Sequence, residues 1–342
     1  MGKIKYWLIV GFIILFAIFY IAISDRDSTL SRLKSAGENG DVEAQYALGL
    51  MYLYGEILDV DYQQAKIWYE KAADQNDPRA QAKLGVMYAN GLGVSQDYQH
   101  AKMWYEKAAA QNDERAQVNL AVLYAKGNGV EQDYRQAKSW YEKAAAQNSP
   151  DAQFALGILY ANANGVEQDY QQAKDWYEKA AEQNFANAQF NLGMLYYKGE
   201  GVKQNFRQAR EWFEKAASQN QPNAQYNLGQ IYYYGQGVTQ SYRQAKDWFE
   251  KAAEKGHVDA QYNLGVIYEN GEGVSQNYQQ AKAWYEKAAS QNDAQAQFEL
   301  GVMNELGQGE SIDLKQARHY YERSCNNGLK KGCERLKELL YK

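Results

Sequence analysis

The chain has 342 residues, a formal charge of −5 and 45 % hydrophobic residues, enough apolar material for a sizeable core. Tyr is abundant at 30 and Pro scarce at 3, and the prevalence of Ala, Gln, Lys, Glu and Leu favours helix. Lys3 and Lys5 are the only charges in residues 1–24, so the body is more acidic than the whole, which argues against a nucleic-acid backbone or an anionic lipid surface as main partner.

From Tyr6 to Ile23 the chain runs without a charge. As a helix this stretch would span roughly 27 Å, about one bilayer core. Tyr6, Trp7 and Tyr20 stand at its edges, where amphipathic rings prefer to lie. The flanking lysines should stay cytoplasmic and the body should emerge on the far side. Residues 1–24 are therefore expected to be a cytoplasmic tip and an uncleaved transmembrane signal anchor. The rival is a cleaved signal peptide, since Ala22-Ile23-Ser24 offers a small-x-small site. No cysteine lies near this segment, which excludes a lipid anchor on it.

Residues 25–40 are expected to be a linker and a half-repeat cap, and from Asp41 to Gly328 the sequence repeats every 36 residues. Trp68 recurs at 104, 140, 176, 212, 248 and 284, with Tyr320 in the eighth place. Ala44 recurs through Ala296 and Leu48 through Leu300 on the same period. A fixed period of this size is the mark of a solenoid. Each unit reads as two helices. In the second, helix A opens at Pro78 and stops before Gly91, with Ala80, Leu84, Met87 and Tyr88 on one face. Pro78, Pro150 and Pro222 all hold the first helical position, where a missing N–H costs nothing. Asp77 and Ser149 precede two of them as N-caps. Helix B covers about Tyr98 to Ala109, with Ala101, Trp104, Tyr105 and Ala108 as its stripe. Gly85 and its equivalents let the two helices approach closely. One unit cannot bury both stripes alone, so neighbours must stack. Residues 329–342 read as a capping first helix, polar outward.

The pattern A-x-x-x-L-G-x-x-Y-x-x-G-x-G-V-x-x-D-Y-x-x-A-x-x-W-Y-x-x-A-A, nearly complete from Ala260 to Ala289, resembles the Sel-one-like repeat, a cousin of the tetratricopeptide repeat. Departures are few: Ile57 and Ala163 replace turn glycines, and Asn304 replaces a tyrosine. The resemblance implies an all-α, right-handed α/α superhelical solenoid of eight repeats that scaffolds protein complexes.

Candidate chemistry is weak by comparison. Gly91-Leu-Gly93 and its copies follow a helix and lack a third glycine, so they read as turns rather than a phosphate loop. Lys66 with Glu70, Lys102 with Glu106 and their later equivalents read as solvated ion pairs. His100, His257 and His319 hold unrelated repeat positions, so no metal site is expected, and no cofactor either. Ser31-Arg32-Leu33-Lys34 spells S-x-x-K, the nucleophile motif of penicillin-interacting enzymes, and some cysteine-rich relatives carry a β-lactamase label. No K-T-G companion exists, and Ser324-Cys325-Asn326 mimics S-D-N only loosely. No catalytic residue is expected.

Binding should fall where the repeats differ. On helix A the positions of residues 46, 50, 53 and 54 lie opposite Ala44, Leu48 and Met51. In the related tetratricopeptide fold this face lines the concave groove. Aromatic residues concentrate there in units five to seven, so Phe190, Tyr197, Tyr226, Tyr233, Tyr234, Tyr262 and Glu269 are expected to hold a peptide or protein segment of the bacterial envelope. Packing between neighbouring helices is the competing use for Phe190, Tyr226 and Tyr262.

Cys325 and Cys333 are the only cysteines. Cys325 takes the repeat position of Ala73 at the end of a helix B, and Cys333 that of Gln45 at the start of the capping helix. Their C-x7-C spacing resembles the one that secreted, cysteine-rich members of the family use for a disulfide. The resemblance thus implies a staple on the last unit and an oxidising compartment. Metal binding would want more ligands, and two buried free thiols are the reading that stays open. The expected location is the bacterial inner membrane, with the repeats in the periplasm, or a secreted product if the segment is cleaved.

Overall fold

The computed structural model describes residues 28–55 and 58–340. The expected anchor, Tyr6 to Ile23, lies outside them. Among the described residues no helix is long and apolar enough to cross a membrane, and every regular element is helical. Chain contacts define two compact units, Met1–Ala152 and Gln153–Lys342.

In the first unit, residues 28–38 form α1. It is followed by α2 (Val42–Tyr54), α3 (Tyr62–Asp74), α4 (Pro78–Asn90), α5 (Tyr98–Ala110), α6 (Glu114–Lys126) and α7 (Tyr134–Ala146). The boundary falls in the first turn of α8 (Pro150–Ala161). The second unit continues with α9 (Tyr170–Glu182), α10 (Ala186–Lys198), α11 (Phe206–Ser218), α12 (Pro222–Tyr234) and α13 (Tyr242–Glu254). Then come α14 (Val258–Asn270), α15 (Tyr278–Ser290), α16 (Ala294–Leu306), α17 (Leu314–Asn326) and α18 (Lys330–Leu340). Within each unit helices pack on their sequence neighbours, as a solenoid requires.

Capping explains why the boundaries fall so regularly. Asp41, Asp77, Asp113 and Asp293 each accept the N–H of the third residue on, opening helix A. Asp61, Asp97, Asp133, Asp169 and Asp313 do the same for helix B. The Ser149 cap is not made, since its Oγ is buried with no hydrogen-bond partner. Glycine stops helix A in the left-handed region, as at Gly91 with φ +68°. Ala163 takes that place in the fourth repeat at φ +57°, a strained conformation for a residue with a Cβ. The turn between repeats also needs a left-handed residue, and Asn76, Asn112, Asn148, Asn184, Asn220 and Asn292 supply it.

The core of each repeat is a ring on a glycine. A Cβ at Gly85 would lie 2.4 Å from the Tyr105 ring, and one at Gly229 would lie 2.4 Å from Phe249. The missing side chain is thus the seat of the helix-B ring. The neighbouring tryptophan, expected in the same stripe, packs on the margin of the core, as Trp104 does against the cluster of Tyr69, Leu84 and Met87, and Trp68 is buried. Trp104, Trp140, Trp176, Trp212, Trp248 and Trp284 are only half-buried. Each carries the lysine of the next turn over its ring, as Lys143 does over Trp140 at 3.7 Å. The physical reason is volume: the glycine leaves room for one ring, and the residue after the tryptophan faces it. The expected lysine–glutamate pairs form along helix B, at 2.7 Å for Lys102–Glu106.

A second regular feature was not visible in the periodicity. Gln45, Gln81, Gln117, Gln189, Gln225, Gln261 and Gln297 are buried. Each donates Nε2 to the carbonyl eight residues back, as Gln81 does to Ala73 and Gln261 to Ala253. Most then accept from an amide 30 residues on: Gln75 to Gln45, Gln111 to Gln81, Gln291 to Gln261 and Asn327 to Gln297. This ladder of amides satisfies the buried glutamines and fixes helix A of one repeat against the turn that ends it.

Candidate partner-binding face

The positions of residues 46, 50, 53 and 54, expected to face away from the core, do so only in part: Leu53 and Ala82 are buried in it and Glu305 is buried too, whereas Tyr54 and Tyr234 stand exposed. Phe190 on α10, Tyr226 on α12 and Tyr262 on α14 are half-buried. Each lies with its centroid 5.7 Å from the helix-B ring of its own repeat: Phe213, Phe249 and Tyr285. These rings therefore pack within a repeat and present only one side outward. Burial lifts the Tyr226 and Tyr262 hydroxyls to about 12, so both are neutral hydrogen-bonding groups at physiological pH.

Tyr197 sets its edge on Phe206 at 5.3 Å and donates its hydroxyl to Gln236 Oε1 at 2.9 Å. Tyr233 meets Tyr242 at 5.2 Å and Tyr234 at 4.9 Å, both edge-on. Tyr234 is 61 % exposed, the most open ring of the set. Glu269 accepts the Tyr285 hydroxyl at 2.6 Å. A hollow of about 300 Å³ opens beside Phe190, lined by Ala161, Asn191, Met194 and Lys198. The face thus offers tyrosine edges and hydroxyls over an apolar floor.

Two features of this face were missed in the sequence. Ala82 in the second repeat leaves a hollow of about 300 Å³ ringed by Tyr46, Arg79, Lys83, Asp113 and Arg115. The signal was there: Arg79 and Lys83 stand four residues apart, flanking an alanine where other repeats have a ring. In the eighth repeat, buried Glu305 accepts Tyr321 Oη at 2.8 Å and is gripped by Arg335 through Nε and Nη2, each at 2.8 Å.

The remaining candidates keep structural roles. Ser31 is exposed on α1, and Lys34 points its ammonium at the Tyr52 ring. Ser324 is fully buried and donates its hydroxyl to the Ala294 carbonyl. His257 caps α14 and stacks on Tyr226 at 4.5 Å, and burial holds its pKa below the usual range. His100 bonds Asp97 at 2.7 Å. Among the described residues no group of His, Cys, Asp and Glu could hold a metal ion. Cys325 and Cys333 are bonded, with Cα atoms 4.5 Å apart. Their bond joins the same two repeat positions that the glutamine-to-carbonyl hydrogen bond joins elsewhere.

The Sel1 repeat matches eight times without a gap, at residues 42–77, 78–113, 114–149, 150–185, 186–221, 222–257, 258–293 and 294–329. Among solved structures, the chain is similar to c5321, a protective antigen of uropathogenic Escherichia coli displaying an SLR fold. The two are 36 % identical with a TM-score of 0.81, over 91 % of this chain and 67 % of that one. It is also similar to a Sel1 repeat protein from Oxalobacter formigenes, at 33 % identity and a TM-score of 0.70, covering 90 % of this chain and 89 % of the other. No curated protein matches by sequence. With all eight repeats matched and two solved relatives above 30 % identity, the chain belongs to the Sel1 repeat family.

Proposed function

We propose that this chain is a non-enzymatic scaffold whose helix-A face in repeats five to seven holds a peptide or protein segment. The Sel1-repeat solenoid is a fold typical of protein–protein interaction scaffolds. The observation that carries the reading is the contrast between uniform and varied positions. Alanine, leucine and the glycine-seated ring scarcely change, whereas the outward face gathers Tyr197, Tyr233 and Tyr234 in adjacent repeats. Tyrosine edges over an apolar floor suit a segment that offers both apolar side chains and backbone polar groups. We further propose that Tyr6 to Ile23 anchors the chain in a bacterial inner membrane with the repeats in the periplasm. The disulfide supports an oxidising location.

Photo-crosslinking tests the face. A benzoylphenylalanine at position 234 of the full-length chain should capture one envelope protein in living cells. The same probe at position 103, exposed on α5, should not. Equal patterns at 103 and 234 refute the face. Intact mass tests the anchor: a mature protein beginning at Asp25 would replace an anchored scaffold with a released one.

A further inference from the structure

Internal repetition lets one repeat serve as a template for the next. In the eighth repeat, Glu305 on α16 and Tyr321 on α17 form a seat for a guanidinium, and Arg335 on α18 fills it with a two-pronged bond, both prongs at 2.8 Å. Such a fork matches a carboxylate in geometry as well as charge. Moving back 36 residues gives Glu269 on α14, Tyr285 on α15 and Glu299 on α16.

The first two keep their arrangement: Tyr285 donates to Glu269 at 2.6 Å, as Tyr321 does to Glu305. The third reverses sign. Where the template places an arginine, the seventh repeat places a second carboxylate. Among the described residues no ion pair reaches Glu269 or Glu299, whereas Glu305 has Arg335. Burial and then the charge of Glu269 push the Glu299 carboxyl up to about 7, with Lys331 offsetting this in part. In the same repeat, three residues after Glu269, Glu272 buries its Oε2 without a hydrogen-bond partner, and its carboxylate bears on the Tyr233 hydroxyl by hydrogen bonding and charge. Carboxylates that form no ion pair thus collect beside the tyrosines of the seventh repeat, with Lys331 as a more distant cation.

We propose, resting on the partner-binding reading above, that Glu269, Tyr285 and Glu299 form an arginine seat, and that the partner segment supplies the guanidinium that Arg335 supplies in the eighth repeat. Glu269 takes the two-pronged bond, Glu299 flanks the guanidinium from the next repeat, and the outward side of Tyr262 closes the seat. The partner is accordingly a basic segment with an arginine whose neighbours reach Tyr233 and Tyr234. Lysine, a point charge with no fork, fits less well.

The test uses the full-length chain and a fluorescein-labelled dodecapeptide with one central arginine among tyrosine, serine and glycine. Its twin carries citrulline, which keeps the shape and loses the charge. Binding is read by fluorescence anisotropy. The citrulline peptide should bind at least tenfold more weakly, and Glu269→Gln should weaken the arginine peptide by a similar factor. Glu299→Arg rebuilds the eighth-repeat arrangement inside the chain, so it should abolish peptide binding and raise Tm by about 2–4 °C. Equal affinity for the two peptides, no binding of either, or a Tm that falls in Glu299→Arg overturns the seat. A crosslink at position 234 that persists in those cases leaves the partner-binding face standing, so the two readings fail separately.

Discussion

The glutamine ladder has one broken rung, and its repair is a sharp test of the packing. In the repeat that ends at residue 257, Lys255 holds the position that Gln75, Gln111, Gln219 and Gln291 hold elsewhere. Its ammonium turns out to Asn220 Oδ1 at 3.1 Å. Gln225 still donates to the Ala217 carbonyl, but its own Oε1 is buried with no partner. An unsatisfied buried acceptor costs about 1–3 kcal/mol. The exposed Lys255–Asn220 contact that would be lost is worth at most about 0.5 kcal/mol. Lys255→Gln, which restores the amide found 2.8–2.9 Å from its acceptor in neighbouring repeats, should therefore stabilise the repeat by about 1 kcal/mol. Because a repeat array opens locally, the readout is native-state hydrogen exchange of α12 and α13 beside the global melt. Protection should rise there and not in α4. Lys255→Met is the control, with a similar stem and no donor. If Met stabilises as much as Gln, or if neither changes exchange, the buried Gln225 acceptor is not what weakens this repeat.

Three further outcomes are expected. Ala163→Gly relieves a left-handed alanine and should stabilise by about 0.5–1 kcal/mol, measured by urea denaturation; a loss of stability would mean that the turn is not strained. Glu299→Gln should show a pH signature. The folded carboxyl holds its proton up to about 7, above its unfolded value, so the wild-type fold loses stability as pH rises between those values. The variant should match wild type at pH 4 and exceed it by about 1 kcal/mol at pH 8, after discounting for partial exposure; equal Tm differences at both pH values refute this. Replacing Cys325 and Cys333 by serine should cost about 2–3 kcal/mol by the loop-closure estimate and deprotect α18 first; uniform loss of protection along the chain would count against an end staple.

The helices and their limits were legible because each boundary is written in chemistry at a fixed spacing: aspartate, proline and glycine at their capping positions. Sequence reading stops short where two residues share one stripe. Trp104 and Tyr105 are adjacent and both aromatic, and only the geometry of Gly85 decides that Tyr105 enters. The Gln81 series carries no sign of burial by residue type alone, because a glutamine beside an alanine is equally at home on a surface. What marks it as buried is its partnership with Gln111, 30 residues away. The tyrosine face shows a different limit. Phe190, Tyr226 and Tyr262 pack on one side and stay open on the other, so packing and recognition are not alternatives at those positions. Arg335 belongs to the capping helix and its partner Glu305 to the eighth repeat, so the pair shows only when the two helices are placed side by side.

The last rung of the ladder also constrains how such a chain can change length. Each rung needs an amide on the incoming helix, and any internal repeat brings one with it. Duplicating or deleting 36 residues within the array therefore keeps a glutamine at the head of each incoming helix A. At Cys333 the amide is gone, and the position is already spent on a covalent bond to Cys325. There the link between helix and turn is covalent, so it survives local opening that would break an amide rung. Copy number can drift in the interior, whereas the α17–α18 junction is fixed by a bond that the amide rungs lack.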